Sequence, residues 1–137
     1  AEADKALTQL DYIVLLAAAN GYSYDPANEG DTDRLYDFAI RQGLLTGEER
    51  QEDKALTRGE MVKMLLDSMG YRHVAGLKGI FRCDFADADT IAAEQLGYAA
   101  LAQGLGLVTG DSQNNYAPDR PAARCEGAVL LWKVMKR

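Results

Sequence analysis

Two arginines hold the same place in two closely related tetrads. Thr57-Arg58-Gly59-Glu60 and Ala123-Arg124-Cys125-Glu126 each head a segment with apolar residues at helical spacing, and Thr8-Gln9-Leu10-Asp11 heads a third in weaker form. Thr57-x-x-Glu60 reads as a capping box. Its threonine oxygen accepts from the N–H at the third helical position, while the glutamate reaches back to the N–H of the cap. The arginines do not serve that purpose. A helix N-terminus carries positive partial charge, so a cation there is unfavourable by about 0.3–1 kcal/mol. Free N–H groups, the helix dipole and an arginine fork instead make a local site for a carboxylate or phosphate. The alternative is that each arginine pairs with its own Glu60 or Glu126, or with an acid of a neighbouring repeat, and the residues leave both open. Ala123 has no side-chain acceptor, yet Arg124 and Glu126 stand beside it. That favours a role for Arg124 other than capping.

Other reactive side chains form no comparable pattern. Cys83, Cys125 and His73 have neither metal-ligand spacing nor a Cys–His catalytic arrangement. Cys83 and Cys125 can pair only if the connector before Phe85 lies against the last helix. Cys125 falls on that helix's expected buried stripe, where a free cysteine acts as a small hydrophobe, so the unpaired reading is preferred. Two acidic stretches superficially resemble calcium loops. The stretch from Asp111 to Ala122 has Tyr116 in place of the central glycine, and the stretch from Asp25 to Tyr36 ends in tyrosine rather than glutamate. Both read as solvated loops. No nucleophile–base pair or phosphate loop is visible, and no cofactor or metal site is expected. The chain reads as noncatalytic.

These groups are positioned by a repeat. Gly43-Leu44-Leu45-Thr46-Gly47 recurs as Gly106-Leu107-Val108-Thr109-Gly110, and a tetrad begins 10 residues after the last glycine of the first copy and 13 after that of the second. A fixed order of helix, glycine turn, loop and tetrad-headed helix is the mark of a repeat array. The expected helices are Thr8 to Asn20, Asp31 to Gln42, Arg58 to Met69, a fourth capped by Asp87 or Asp89 and reaching Gln103, and Ala123 to Met135. Residues 71–86 read as an extended connector with a short strand. In the last helix Cys125, Ala128, Val129, Trp132 and Met135 form the expected buried stripe. Tyr98 and Tyr116 suit either sugar stacking or half-buried packing.

The 137 residues suffice for a core, and 47% are apolar. A net charge of -6 argues against nonspecific nucleic-acid binding, which needs a basic footprint. The longest apolar run, Tyr12 to Ala19, is far short of the ~20 residues of a membrane span, so no membrane insertion is expected. No basic segment precedes an apolar stretch as in a secretory leader.

The ordered recurrence resembles the S-layer homology (SLH) family. Phe85-Ala86-Asp87 matches the opening Phe-x-Asp of its repeat, Gly106 to Gly110 its turn, Tyr116-Ala117-Pro118 its Phe-x-Pro element, and Ala123-Arg124-Cys125-Glu126 its Thr-Arg-Ala-Glu tetrad. The middle copy keeps turn and tetrad but has Arg50 and Glu52 at the Phe-x-Pro positions, and the first keeps only its second helix. The resemblance implies an all-α fold of helix-loop-helix repeats in a pseudo-symmetric bundle. The expected division is the second half of a first repeat at 1–28, a degenerate second repeat at 29–70, and a connector plus third repeat at 71–137. It further implies an extracellular module at the cell wall or S-layer surface that anchors a larger protein. The partner would be an anionic, often pyruvylated, secondary wall polysaccharide linked to peptidoglycan. Thr57, Arg58, Glu60, Arg124 and Glu126 are then the expected glycan-binding residues. The alternative is a degenerate module for protein–protein or intramolecular packing. An incomplete array also invites homo-oligomerisation to complete the bundle.

Overall fold

The computed structural model describes residues 5–77 and 79–136. It is all-α, with helices α1 (Gln9–Ala19), α2 (Asp31–Arg41), α3 (Arg58–Ser68), α4 (Arg72–Ala75), α5 (Ala93–Gly104) and α6 (Arg124–Met135). Short 3-10 turns stand at Gly47–Glu49 and Ala88–Thr90, and the described residues contain no strand beyond isolated bridges.

The three tetrads bring their helices together at one end. The residues just before the caps, Leu7, Leu56 and Ala122, close a ring of backbone hydrogen bonds. Leu56 N–H donates to Leu7 C=O at 2.8 Å, Ala122 to Leu56 at 2.9 Å, and Leu7 to Ala122 at 3.0 Å. All three residues are buried. A second tier repeats the symmetry: the first helical N–H of each inner helix, at Gln9, Arg58 and Arg124, donates to the carbonyl of Lys54, Arg120 and Lys5 respectively, at 2.8–3.0 Å. Gly59 N–H likewise reaches Pro118 C=O at 2.8 Å. The helix starts are therefore closed by neighbouring chain. At α1 and α3 the first two helical N–H groups, expected to face an anion, are already satisfied, as a buried donor left unpaired would be costly.

Two inner helices carry an outer one: α2 covers α1, and α5 covers α3. The recurrent pentapeptide explains how each outer helix ends. Gly43 and Gly106 adopt φ +81° and +74°, which favour glycine, and the next N–H turns back into the helix, Leu44 to Ala39 at 3.0 Å and Leu107 to Ala102 at 2.9 Å. Leu44 and Leu107 then enter the core. This is a Schellman ending, with the hydrophobic contact that usually accompanies it.

Three expectations need correction. The connector 71–86 contains the short helix α4 and no strand. The α4 backbone approaches α5 so closely that a Cβ on Gly97 would lie 2.0 Å from the Ala75 carbonyl oxygen, so Gly97 makes the contact feasible. Helix α5 begins at Ala93 rather than behind an Asp87 or Asp89 cap. Asp87 is instead used across the fold, accepting from Tyr116 N–H at 2.8 Å and Ala117 N–H at 2.9 Å.

The largest correction concerns α6. Its expected core stripe faces outward: Val129 is 52% exposed, Trp132 58% and Met135 68%, with Cys125 and Ala128 also exposed. The opposite side, Gly127 and Leu130, is buried. Apolar residues surround α6, so periodicity alone did not select a face. Backbone approach did: a Cβ on Gly127 would meet Leu7 and the Tyr12 ring at 3.1–3.3 Å, so the absent side chain lets α6 press onto α1 there. Both cysteines are free, but Cys125 is exposed, not part of a buried stripe.

Candidate functional site

Each gap between adjacent inner helices repeats one design. The second tetrad residue of one helix faces the fourth tetrad residue of the next. Gln9 and Glu60 share a groove of about 360 Å³ with Leu45 of the first glycine turn. Arg58 and Glu126 share one of about 270 Å³ with Leu107 to Gly110 of the second turn, Val129 and Lys133. Arg124 and Asp11 meet in the third gap. A larger cavity of about 650 Å³ lies among α4, the connector and α5, but contains no tetrad residue.

In the first groove the tetrad residue Gln9 is satisfied, although Gln95 Oε1, which lines the same groove, is buried without a partner. Gln9 accepts from the Tyr36 hydroxyl at 2.9 Å and Gln51 N–H at 2.7 Å, and donates to the Glu49 carbonyl at 2.8 Å. Arg50, at the place of the Phe-x-Pro aromatic, lies over the Tyr36 ring with its guanidinium carbon 4.3 Å from the centroid.

The second groove differs. Arg58 is only 9% exposed and donates Nη2 to the Thr109 carbonyl at 2.7 Å. Its Nε is buried without a hydrogen-bond partner, and among the described residues it forms no ion pair. A guanidinium has five donors and no acceptor, so this leaves capacity for an acceptor from outside. Arg124 is engaged instead with Asp11, at 2.9 Å from Nη2 and 3.2 Å from Nε. Neither tetrad arginine pairs with its own glutamate.

Thr57 and Glu60 form the expected capping box. Thr57 Oγ1 accepts from Glu60 N–H at 3.2 Å, and Thr57 N–H donates to Glu60 at 2.9 Å. Glu60 also pairs with Lys54. Glu126 accepts from Ala123 N–H at 3.1 Å and takes the Arg120 fork at 2.6 and 3.0 Å. Arg120, which sequence reasoning passed over, thus fixes the tetrad glutamate. Its only signal was being a basic residue in the loop ahead of a tetrad without a side-chain cap.

Burial alone would raise the pKa of Glu60 and Glu126. Hydrogen bonds and charge from Lys54 and Arg120, with the cap N–H groups, outweigh it and hold both below the ordinary glutamate range. Glu49 is lowered in the same sense. Their stabilisation is therefore fully present above about pH 4.3 and lost as pH falls through the folded values. Tyr36 is pushed up to about 12 by burial. Its contribution is present below the ordinary tyrosine value of ~10 and lost as pH rises through the folded one. Thermal midpoints should be level from about pH 5 to 9 and fall on both sides. In Glu126→Gln the acid limb should be shallower, and an unchanged limb would remove Glu126 from this account.

The Phe-x-Asp and Tyr-x-Pro segments meet directly. The Phe85 and Tyr116 rings pack with centroids 5.2 Å apart, while Asp87 holds the Tyr116 and Ala117 N–H groups. Ala117 sits at φ +53°, and the following Pro118 carbonyl is thereby aimed at Gly59 N–H. This pairing orders the loop that closes α3. Neither candidate stacking ring faces solvent. Tyr116 is fully buried, and Tyr98 is buried with its hydroxyl 2.6 Å from Asp67.

Comparison with protein families matches residues 84–124 to the S-layer homology domain. This stretch is similar to an S-layer homology domain. The match runs from just before Phe85 through α5 and the second glycine turn to Arg124. SLH domains are noncatalytic modules that generally anchor proteins to the cell wall, in association with the cell surface or S-layer. Comparison with curated proteins gives no match for the chain. No helix is long and apolar enough to cross a membrane, among the described residues.

Proposed function

We propose that the chain is a wall-anchoring module whose Arg58 groove takes an acidic group of a secondary cell-wall polysaccharide, such as a pyruvyl carboxylate. The observation that carries this reading is Arg58 itself: a largely buried guanidinium with an unpartnered Nε, no ion pair, and an adjoining groove. A carboxylate brought to such a group gains charge-assisted hydrogen bonds in a place only weakly screened by water. Glu126 lines the same groove and, held by Arg120, offers acceptor positions to sugar hydroxyls. Thr57 and Glu60 support the site by fixing the start of α3. Arg124 supports it by joining α6 to α1 through Asp11. The division into 1–28, 29–70 and 71–137 belongs to this reading, as does an extracellular location. The packing alternative is favoured by the Arg124–Asp11 pair and by the closed helix starts.

Cosedimentation with purified cell walls, before and after removal of the secondary polymer, tests the proposal. Arg58→Gln is the informative variant, because glutamine already stands at the equivalent position 9. Polymer-dependent pelleting should fall about tenfold or more, as expected for one lost charge-assisted contact of ~1.5–3 kcal/mol, while the far-UV spectrum is retained. Unchanged pelleting by a folded Arg58→Gln would refute the Arg58 groove as the site.

A further inference from the structure

The Arg58 groove holds a thiol as well as a cation. Cys125 is free and exposed, and it lines the groove from α6 together with Glu126, Val129 and Lys133. Arg58 lines the same groove from α3, 9% exposed and with its Nε buried without a partner. The guanidinium is fixed in place by the Thr109 carbonyl at 2.7 Å and by the Tyr116 ring, whose centroid lies 5.6 Å from its carbon. Lys133 Nζ donates to the Leu107 carbonyl at 3.4 Å and forms no ion pair among the described residues. The carboxylate of the groove, Glu126, is already taken by the Arg120 fork and the Ala123 N–H. A thiol therefore stands beside uncompensated positive charge, in a chain whose net charge is -6.

We propose that Cys125 is a thiolation site for a small acidic disulfide, whose carboxylate is received by Arg58 and Lys133. The proposal rests on the reading that the Arg58 groove accepts an acidic group, but not on that acid belonging to a wall glycan. Exposed thiols in electropositive surroundings are the ones that react, whereas Cys83 is half-buried against the core. In the exchange the Cys125 thiol gives its proton to water and its Sγ attacks one sulfur of the disulfide. The new Cys125 S–S bond forms as the old one breaks, and the departing thiolate leaves with the electron pair. Cys125 is thereby oxidised and the released half of the reagent reduced. The groove, about 270 Å³, is smaller than the ~300 Å³ at which pockets begin to hold drug-sized ligands, so one small acid fills it. The mixed disulfide then competes with any other acid for Arg58.

The test compares two aromatic disulfides, the dianionic dithiobis(nitrobenzoate) and the uncharged dithiodipyridine. Their rates are measured on the folded Cys83→Ala chain, which leaves one thiol, and each is normalised to N-acetylcysteine amide. Peptide mapping of the chain with both cysteines assigns the fast thiol independently. Cys125 should favour the acidic reagent several-fold, although the net charge of the chain would repel it from an ordinary surface thiol. Arg58→Gln and Lys133→Gln should each lower the acidic rate several-fold and leave the uncharged rate unaltered. Lys133→Gln is a change at a half-buried surface position, so the test survives a poorly folded Arg58→Gln. No preference for the acidic reagent, or an equal loss with both reagents, would overturn the proposal. Selectivity without polymer-dependent pelleting would sink only the glycan reading, and pelleting without selectivity only the thiolation site.

Discussion

Val62→Glu should abolish cooperative folding, whereas Ala128→Glu, at the equivalent place on α6, should leave the thermal midpoint nearly unchanged. Val62 is fully buried on α3, which α5 covers. A glutamate there must stay charged in an apolar setting or take up a proton. Shifts of 3–5 pKa units for fully buried groups correspond to about 4–7 kcal/mol, before any loss of packing. That is comparable to the entire stability of many domains, about 5–15 kcal/mol. Ala128 is exposed, and surface changes usually stay within ~0.5 kcal/mol. Far-UV circular dichroism and thermal melts of the two variants make the comparison. Equal destabilisation would mean that α6 is covered in solution by something already present, such as a second copy.

Asp67→Ala should lower stability by about 2–4 kcal/mol, the range between a lost charge-assisted hydrogen bond and a broken buried pair. Its carboxylate is fully buried and receives Lys63 at 2.9 Å, Arg72 at 3.0 Å and the Tyr98 hydroxyl at 2.6 Å. One side chain thereby ties α3 to α4 and α5. The two cations are partly exposed and can recover water when the carboxylate is removed, which keeps the cost below that of a fully sealed ion pair. Tyr98 cannot recover so readily. Its hydroxyl is held protonated by burial and by the hydrogen bond to Asp67. A loss of ~3 kcal/mol corresponds to a drop of roughly 10 °C in the thermal midpoint for a domain of this size. Asp67→Asn, which can still accept from Tyr98, should lose distinctly less. If the two variants melt together, the charge of Asp67 carries the effect and the tyrosine contact does not.

The role of Asp67 was not visible in the linear chain. Asp67 lies at the polar end of an amphipathic helix, where an aspartate ordinarily faces water, and its partners come from residues 63, 72 and 98. The connector hid α4 because Arg72 to Ala75 is too short to show a period, and it is held by packing against α5 and by the Arg72–Asp67 pair. Arg120 and Asp87 were similarly unreadable, since each acts on a loop far from it in sequence or on a capless tetrad.

What the sequence determined by itself was local. The capping box at Thr57 and Glu60, the glycine turns at Gly43 and Gly106, and the all-α class follow from contacts within a few residues, where side-chain chemistry and backbone freedom act directly. The recurrence of those signals also identified the repeat and its family. The tertiary structure decided how the repeats meet. It closed Leu7, Leu56 and Ala122 into a ring, left Arg58 without an ion pair while giving Arg124 to Asp11, and turned Trp132 outward. The reason is physical: an arginine's partner and a helix's buried face depend on which distant segment arrives there. For α6, the deciding feature was a missing Cβ at Gly127 against Leu7 and Tyr12.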